Sequence, residues 1–344
     1  MTTPILRRLL PAAAAALALG CSACLERKET ITVGPDGSAV CEIEFTGDAQ
    51  VLQSPLALPS APAWTIIEQR VDSTQAQPEL HLKASRTVPY GAPLPESYVT
   101  AETPSPELDL HFPTAVTVRT EGNRTYYEFR RTYQARRFGE YDITESPWLW
   151  DADLETKAID SGLVNLSPDE RRKYLEQLAA AFSLKHWRMN RNALAELVRS
   201  GSLEAATMDL IAARAAEHFE RTLTTEFLFR TMQQSDETVT LTLDSLEAAF
   251  AETFRARLAE AVGTPAAAVL EQFEAALERV HRDQRITEVL SSDEFSIRLN
   301  LPGTIIESNG LLSPEEPGTV RWSFEGKKLH DADLPLYALS VVAR

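Results

Sequence analysis

The spacing of apolar residues changes twice along this 344-residue chain, and that change limits the folds open to it. From residue 29 to residue 145, apolar and polar side chains alternate, as they do on half-buried strands. Thr30–Val33 and Ala39–Phe45 flank Gly34-Pro35-Asp36-Gly37, a turn signal in which glycine supplies positive φ and proline pre-sets the bend. Trp64–Val71 and Glu79–Val88 read as further strands, separated by Pro-containing loops. Val116 and Val118 alternate up to Glu121-Gly122-Asn123. After that turn Tyr127, Phe129 and Arg131 share one face, and Tyr126, Glu128 and Arg130 the other, as in a β-hairpin. Residues 89–107 are rich in proline and read as an irregular loop.

From 151 to 290 the period becomes helical. Ser167-Pro168-Asp169-Glu170 is a capping box with proline at the first helical position, followed by Leu175, Leu178 and Phe182. Arg199-Ser200-Gly201-Ser202 predicts one helix ending on Gly201 and another starting from Ser202. Ile211, Ala215, Phe219, Leu223 and Phe227 then form one apolar ridge. Asp244-Ser245-Leu246-Glu247 reads as the start of a helix with the ridge Leu246, Phe250, Phe254, Leu258 and Val262. Gly263-Thr264-Pro265 ends it before a last stripe of Val269, Phe273, Leu277 and Val280. Val239, Leu241 and Leu243 alternate, which predicts a short strand over Thr238–Leu243.

Residues 294–343 return to period two, through Ile297, Leu299 and Leu301, then Val320, Trp322 and Phe324, then Leu336–Val342. A tail of this length cannot bury enough surface by itself, so it is expected to complete the N-terminal sheet. The expected fold is α+β: an antiparallel β domain formed by N- and C-terminal segments, with a large helical insertion. The expected divisions are 24–150, 151–290 and 291–344.

Ahead of these lies Arg7-Arg8, an apolar run from Leu9 to Gly20, and Cys21-Ser22-Ala23-Cys24. A basic start, about a dozen apolar residues and a small-residue exit describe a secretory signal too short to span a bilayer. The cysteines make it resemble a bacterial lipoprotein signal, in which the cysteine after the cut carries the lipid. Both Cys21 and Cys24 are candidates, giving a signal of residues 1–20 or 1–23. The resemblance implies export, a membrane anchor at the N-terminus and a place in the cell envelope. If Cys21 is lipidated, Cys24 and Cys41 can pair as a disulfide in an oxidising compartment. If Cys24 is lipidated, Cys41 stands alone on a strand with Ile43 and Phe45.

The segments Asp36-Gly37-Ser38, Leu301-Pro302-Gly303, Ser308-Asn309-Gly310 and Val320-Arg321-Trp322-Ser323-Phe324 resemble those of LppM-like envelope lipoproteins. That resemblance implies one β-rich domain containing both ends of the motif, and lipid or glycolipid as a ligand class.

Chemistry-bearing patterns are sparse. A formal charge of −16 excludes a general nucleic-acid binder, which needs dense Lys and Arg. The chain has no phosphate-cradling Gly-Lys loop, no Gly-x-Ser-x-Gly elbow and no His-Glu-x-x-His helix, and its six histidines are scattered. Three cysteines cannot build a four-cysteine zinc site. Asp151-Ala152-Asp153 and His330-Asp331-Ala332-Asp333 lack the full loop of a calcium hand. Asp151 reads as a helix cap, and Asp331 and Asp333 as turn residues. No metal or cofactor is expected.

Trp148 and Trp150 can line an apolar cleft or clamp a core. Tyr126, Tyr127, Tyr133 and Tyr141, with Arg130, Arg131, Arg136 and Arg137, make an aromatic-basic cluster. It suits an anionic headgroup or glycan, or alternatively cross-strand pairing with salt bridges. The candidate ligand-binding residues are therefore Trp148, Trp150, Tyr127 and Arg131, and no catalytic residue is assigned. The leading expectation is non-catalytic binding of an apolar or amphiphilic ligand or a protein partner. A helical assembly or chaperone-like scaffold and an envelope hydrolase are the alternatives.

Overall fold

The computed structural model describes residues 25–53, 56–73, 78–100, 103, 105–136, 150–233, 236–263 and 266–343. Cys21, Cys24, Arg137, Tyr141 and Trp148 lie outside them, and with them the lipidation and Cys24–Cys41 expectations. The chain forms two compact units, a helical one within Phe138–Gln284 and a β unit from Cys21–Arg137 with Arg285–Arg344. The α+β expectation, with a sheet-forming domain drawn from both ends of the chain, holds.

The strands are β1 (Leu25–Val33), β2 (Ala39–Asp48), β3 (Thr65–Asp72), β4 (Glu79–Val88), β5 (Thr114–Glu121), β6 (Arg124–Tyr133), β7 (Glu294–Asn300), β8 (Thr304–Ser308), β9 (Leu311–Leu312), β10 (Thr319–Glu325) and β11 (Leu334–Ala343). They build two sheets. One has seven strands in the order β3-β4-β2-β1-β7-β10-β9, and the other four in the order β5-β6-β11-β8. All pairings are antiparallel except β1 with β7, which run parallel at the centre of the larger sheet.

The tail therefore does not extend a single sheet. It is shared, with β7, β9 and β10 in one layer and β8 and β11 in the other. The physical reason is burial: the apolar face of the larger sheet needs a second layer against it. Ile31, Ile43, Phe45, Leu82 and Leu299 from one sheet share a core with Tyr127, Phe129, Tyr133 and Leu336 from the other. Aromatic rings bridge the layers, Phe129 to Trp322 at 6.1 Å and Tyr133 to Phe295 at 5.7 Å between centroids.

Two ion pairs sit inside this core. Arg131 on β6 meets Glu29 on β1 with both Nη atoms, and the arginine is 1% exposed. Arg27 on β1 donates from Nε to Asp293 at 2.7 Å, while the other Asp293 oxygen accepts from the Leu25 amide. The Arg27 Nη atoms have no hydrogen-bond partner, but the guanidinium lies over the rings of Phe45 (4.9 Å) and Phe295 (5.3 Å). Those π faces offset part of the desolvation cost.

The helical unit contains α1 (Ala152–Ser161), α2 (Pro168–Arg199), α3 (Ala205–Thr222), α4 (Thr225–Thr231) and α5 (Asp236–Val262). The last helix, α6 (Ala267–Ser291), gives Phe273, Ala276 and Val280 to this core, and beyond Gln284 belongs to the β unit. Two of the expected caps are present. Asp151 accepts from the Leu154 amide, and Ser167 and Glu170 form a complete capping box.

Gly201, at φ +76°, ends α2 in a Schellman motif. Its amide donates to Val198, and that of Ser202 to Leu197. The next helix starts at Ala205 rather than Ser202; the Ser202 and Leu203 amides both donate to the Leu197 carbonyl of the helix before. The expected strand over Thr238–Leu243 is instead part of α5, which continues through Asp244-Ser245-Leu246-Glu247 without a break. The ridge from Ile211 to Phe227 is also divided, because Thr224 caps α4 by accepting from the Phe227 amide.

Candidate functional site

A cleft of about 450 Å³ opens in the β unit, lined by Gly37 and Ala39, by residues 88–94, and by residues 114–118 of β5. Three local structures hold it open. The first is the β1–β2 turn. The Gly34 amide donates to the Ser38 carbonyl and the Gly37 amide to that of Gly34, while Asp36 Oδ1 accepts from the Ser38 amide and hydroxyl. Those hydrogen bonds lower the Asp36 pKa, the hydroxyl contributing most. Gly37 has φ +82°, and a Cβ there would lie 2.4 Å from the Tyr90 ring and 3.0 Å from Val118 Cγ2. Turn, loop and edge strand meet at that residue, and its positive φ favours glycine there.

The second is the loop after β4. The Ala92 amide donates to the Pro89 carbonyl and Gly91 has φ +80°, which together make a type II turn. Downstream, Leu94, Tyr98, Leu110 and Phe112 are buried, so the segment read from sequence as irregular is anchored in the core. Tyr98 lies against Phe45, Trp64 and Phe112, with centroids 5.6, 5.9 and 5.0 Å away. Asp109 is buried and accepts from the Ala57 and Leu110 amides.

The third is β5, one of the two edge strands of the four-stranded sheet. Its first residue, Thr114, donates to the Phe112 carbonyl at 2.6 Å and accepts from Arg131 Nε at 2.8 Å.

The candidate residues named from sequence fall in two places. Tyr127 and Arg131 are both buried behind the cleft rather than lining it. Tyr127 donates its hydroxyl to the Pro35 carbonyl at 2.7 Å and so fixes the turn at the cleft floor. Arg131 fixes Thr114, while its Nη atoms are engaged by Glu29. Trp150 belongs to the helical core and donates Nε1–H to Glu155 at 2.9 Å. Trp148 lies outside the described residues. On the outer face of the hairpin Arg130 pairs with Glu128, and Arg119 covers the ring of Tyr126. Asp333 accepts from the Ala135 amide, 198 residues away, so its carboxylate joins two distant segments. Among the described residues, no three His, Cys, Asp or Glu side chains are arranged to hold a metal ion.

Sequence reasoning missed the cleft-lining residues themselves. Their only signals were Pro89-Tyr90-Gly91, inside a stretch read as irregular, and the uncharged alternation of Thr114 to Val118. The arrangement offers apolar contact and backbone hydrogen bonding, with no nucleophile beside a base. No helix among the described residues is long and apolar enough to cross a membrane.

No protein-family model matches the chain, and no curated protein does. Among solved structures, the folded domain of the Mycobacterium tuberculosis LppM protein matches at 9% identity, over 94% of this chain and 92% of that one. Its TM-score is 0.28, a weak likeness that identifies no shared site residue.

Proposed function

We propose that this chain is a lipid-anchored protein of the bacterial cell envelope that binds a protein segment or an amphiphilic ligand and catalyses no reaction. The binding part is carried by the cleft beside β5, an open, uncharged, rigidly framed concavity. The anchoring part rests on the lipoprotein-like cysteines, Cys21 and Cys24.

The topology relates the two. β1 begins at Leu25, one residue after Cys24 and four after Cys21, and ends at Val33 beside the turn that floors the cleft. A nine-residue strand is about 26 Å long. An anchor at either cysteine therefore joins the end of β1 opposite the cleft, which favours a ligand reached from the aqueous side.

Two measurements test this reading. Mass spectrometry of the mature N-terminal peptide is expected to find an acylated cysteine; a free amino terminus near Ala23 would sink the anchor. Crosslinking in intact envelopes, with native mass spectrometry of detergent-extracted protein, is expected to find a bound species. Neither a protein nor a lipid adduct would sink the binding role.

A further inference from the structure

We propose that the cleft takes an extended, uncharged peptide segment, which adds to β5 as a further strand of the four-stranded sheet. This deepens the binding reading above and rests on it.

The backbone register carries the inference. The Thr132 amide donates to the Pro113 carbonyl at 3.0 Å, which places that pair in hydrogen-bonded register. Antiparallel pairs alternate, so Ala115, Thr117 and Arg119 direct their backbone groups to β6. Val116 and Val118 direct their N–H and C=O groups away from it. No residue of β6 lines the cleft, so the cleft opens on the outer side of β5, where these groups point. Nothing among the described residues pairs with that edge.

The other sheet edges differ. β3 carries a register shift between Ile66 and Glu68 and an exposed Glu68–Arg70 pair. β9 has two residues. β8 has five, against a register shift in β11 between Leu339 and Ser340. Bulges, charges and shortness are the usual means of blunting an edge against added strands. β3 is as long, but β5 alone of the four joins eight residues to an unbroken register and an uncharged stretch from Thr114 to Val118.

The chemistry selects the occupant. Hydrocarbon cannot satisfy the exposed donors and acceptors of Val116 and Val118, and its cover would leave them unpaired. A peptide strand satisfies both and inserts alternate side chains into the cleft. No charged side chain lines the cleft in a chain of charge −16, so a phosphate headgroup finds no cationic side chain there. A second copy of this chain would bring a like-charged surface alongside.

The test uses the full mature chain in detergent and a phage-displayed library of random linear peptides, with the selected peptide resynthesised with capped ends. Binding is expected to slow amide exchange at Val116 and Val118. Val116→Pro, which removes one outward N–H and no ladder bond, is expected to weaken binding about tenfold or more. Val116→Thr keeps the backbone donor and is expected to bind as the parent does. If Val116→Pro fails to fold by circular dichroism, Val118→Pro removes the next outward donor and is read instead.

Peptide binding untouched by the proline variants, with no protection at these amides, overturns strand addition and leaves the binding reading standing. Selection of no peptide, with phosphatidylethanolamine–phosphatidylglycerol vesicles bound and then lost on Ala92→Glu, does the same. A dimer that Val116→Pro dissolves makes a second copy the occupant and overturns the peptide. No binding to peptide or vesicle and no dimer overturns both.

Discussion

Arg131 reaches Glu29 from the opposite sheet, 102 residues away in sequence, with guanidinium nitrogens 2.5 and 3.0 Å from the two carboxylate oxygens. Its remaining Nε–H holds Thr114, the first residue of the edge strand, so one buried side chain ties the two layers together and sets the start of β5. The guanidinium also lies 4.8 Å from the Phe112 ring centroid.

Removing one partner of such a pair leaves the other charge buried and uncompensated. Arg131→Met is therefore expected to destabilise the β unit by about 3–5 kcal/mol, read as a lower urea midpoint. Adding Glu29→Leu is expected to recover a substantial part of that loss. A single variant as stable as the parent would show that the pair is not dry.

Cys41 lies on β2 with no exposed surface and has no disulfide partner among the described residues. Burial, reinforced by the Glu29 charge, pushes its pKa up to about 12. Since the thiolate is the reactive form, Cys41 is expected to resist iodoacetamide at pH 8 in the folded protein and to react in denaturant. Rapid labelling under native conditions would contradict this placement.

In the helical unit His186 is buried against Phe182 and Phe250, with Glu247 4.0 Å from Nδ1 and His281 on the other Glu247 oxygen at 3.1 Å. Burial lowers the His186 pKa to about 4; Glu247 pulls it up, while Lys185 and His281 push it further down. An unfolded histidine titrates near 6.5, so between these values the unfolded chain binds more protons than the folded one. The stability is therefore complete above about pH 6.5 and is lost as pH falls toward 4, by about 3 kcal/mol in all. Urea unfolding followed by circular dichroism at neutral and acid pH should show this slope, and His186→Phe should flatten it. Glu247, whose own pKa is lowered mainly by its hydrogen bond to His281, adds a loss below its ordinary range that the variant retains. Equal slopes in parent and variant would rule out His186 as the cause.

Gly303 and Gly91 both have positive φ but differ in surroundings. A Cβ on Gly303 would lie 2.2 Å from the Val341 carbonyl oxygen, whereas one on Gly91 would meet nothing within 4 Å. Gly303→Ala is expected to cost about 2–4 kcal/mol, combining strain and clash, and Gly91→Ala about 1 kcal/mol from strain alone. Thermal melts of the two variants check the order; similar costs would mean the strand behind Gly303 gives way easily.

Local signals carried much of the fold. The Gly34–Gly37 turn, the capping box at Ser167 and the stop at Gly201 each depend on residues close in sequence, and each is present. Thr238–Leu243 misled because alternation over six residues is a short sample, and the helix that contains it runs to Val262. The two-layer arrangement was not legible, since period two reports that a strand has a buried face but not what covers it. For Tyr127 and Arg131 the alternation with Phe129 put the three on one face of the strand without saying what that face meets, and the structure buries it. Their partners, Pro35 and Glu29, are separated by 92 and 102 residues, and no local pattern marks them.

The parallel pairing of β1 with β7 also sets a timetable. Arg27 is made early, and its partner Asp293 comes 266 residues later. At ordinary rates of synthesis that interval is roughly 15–50 s. Through it, one edge of β1 stays open and a cation that will be buried stays in water. A product cut short before Glu294 never closes the edge, so proteolysis should clear truncated chains much faster than the complete one.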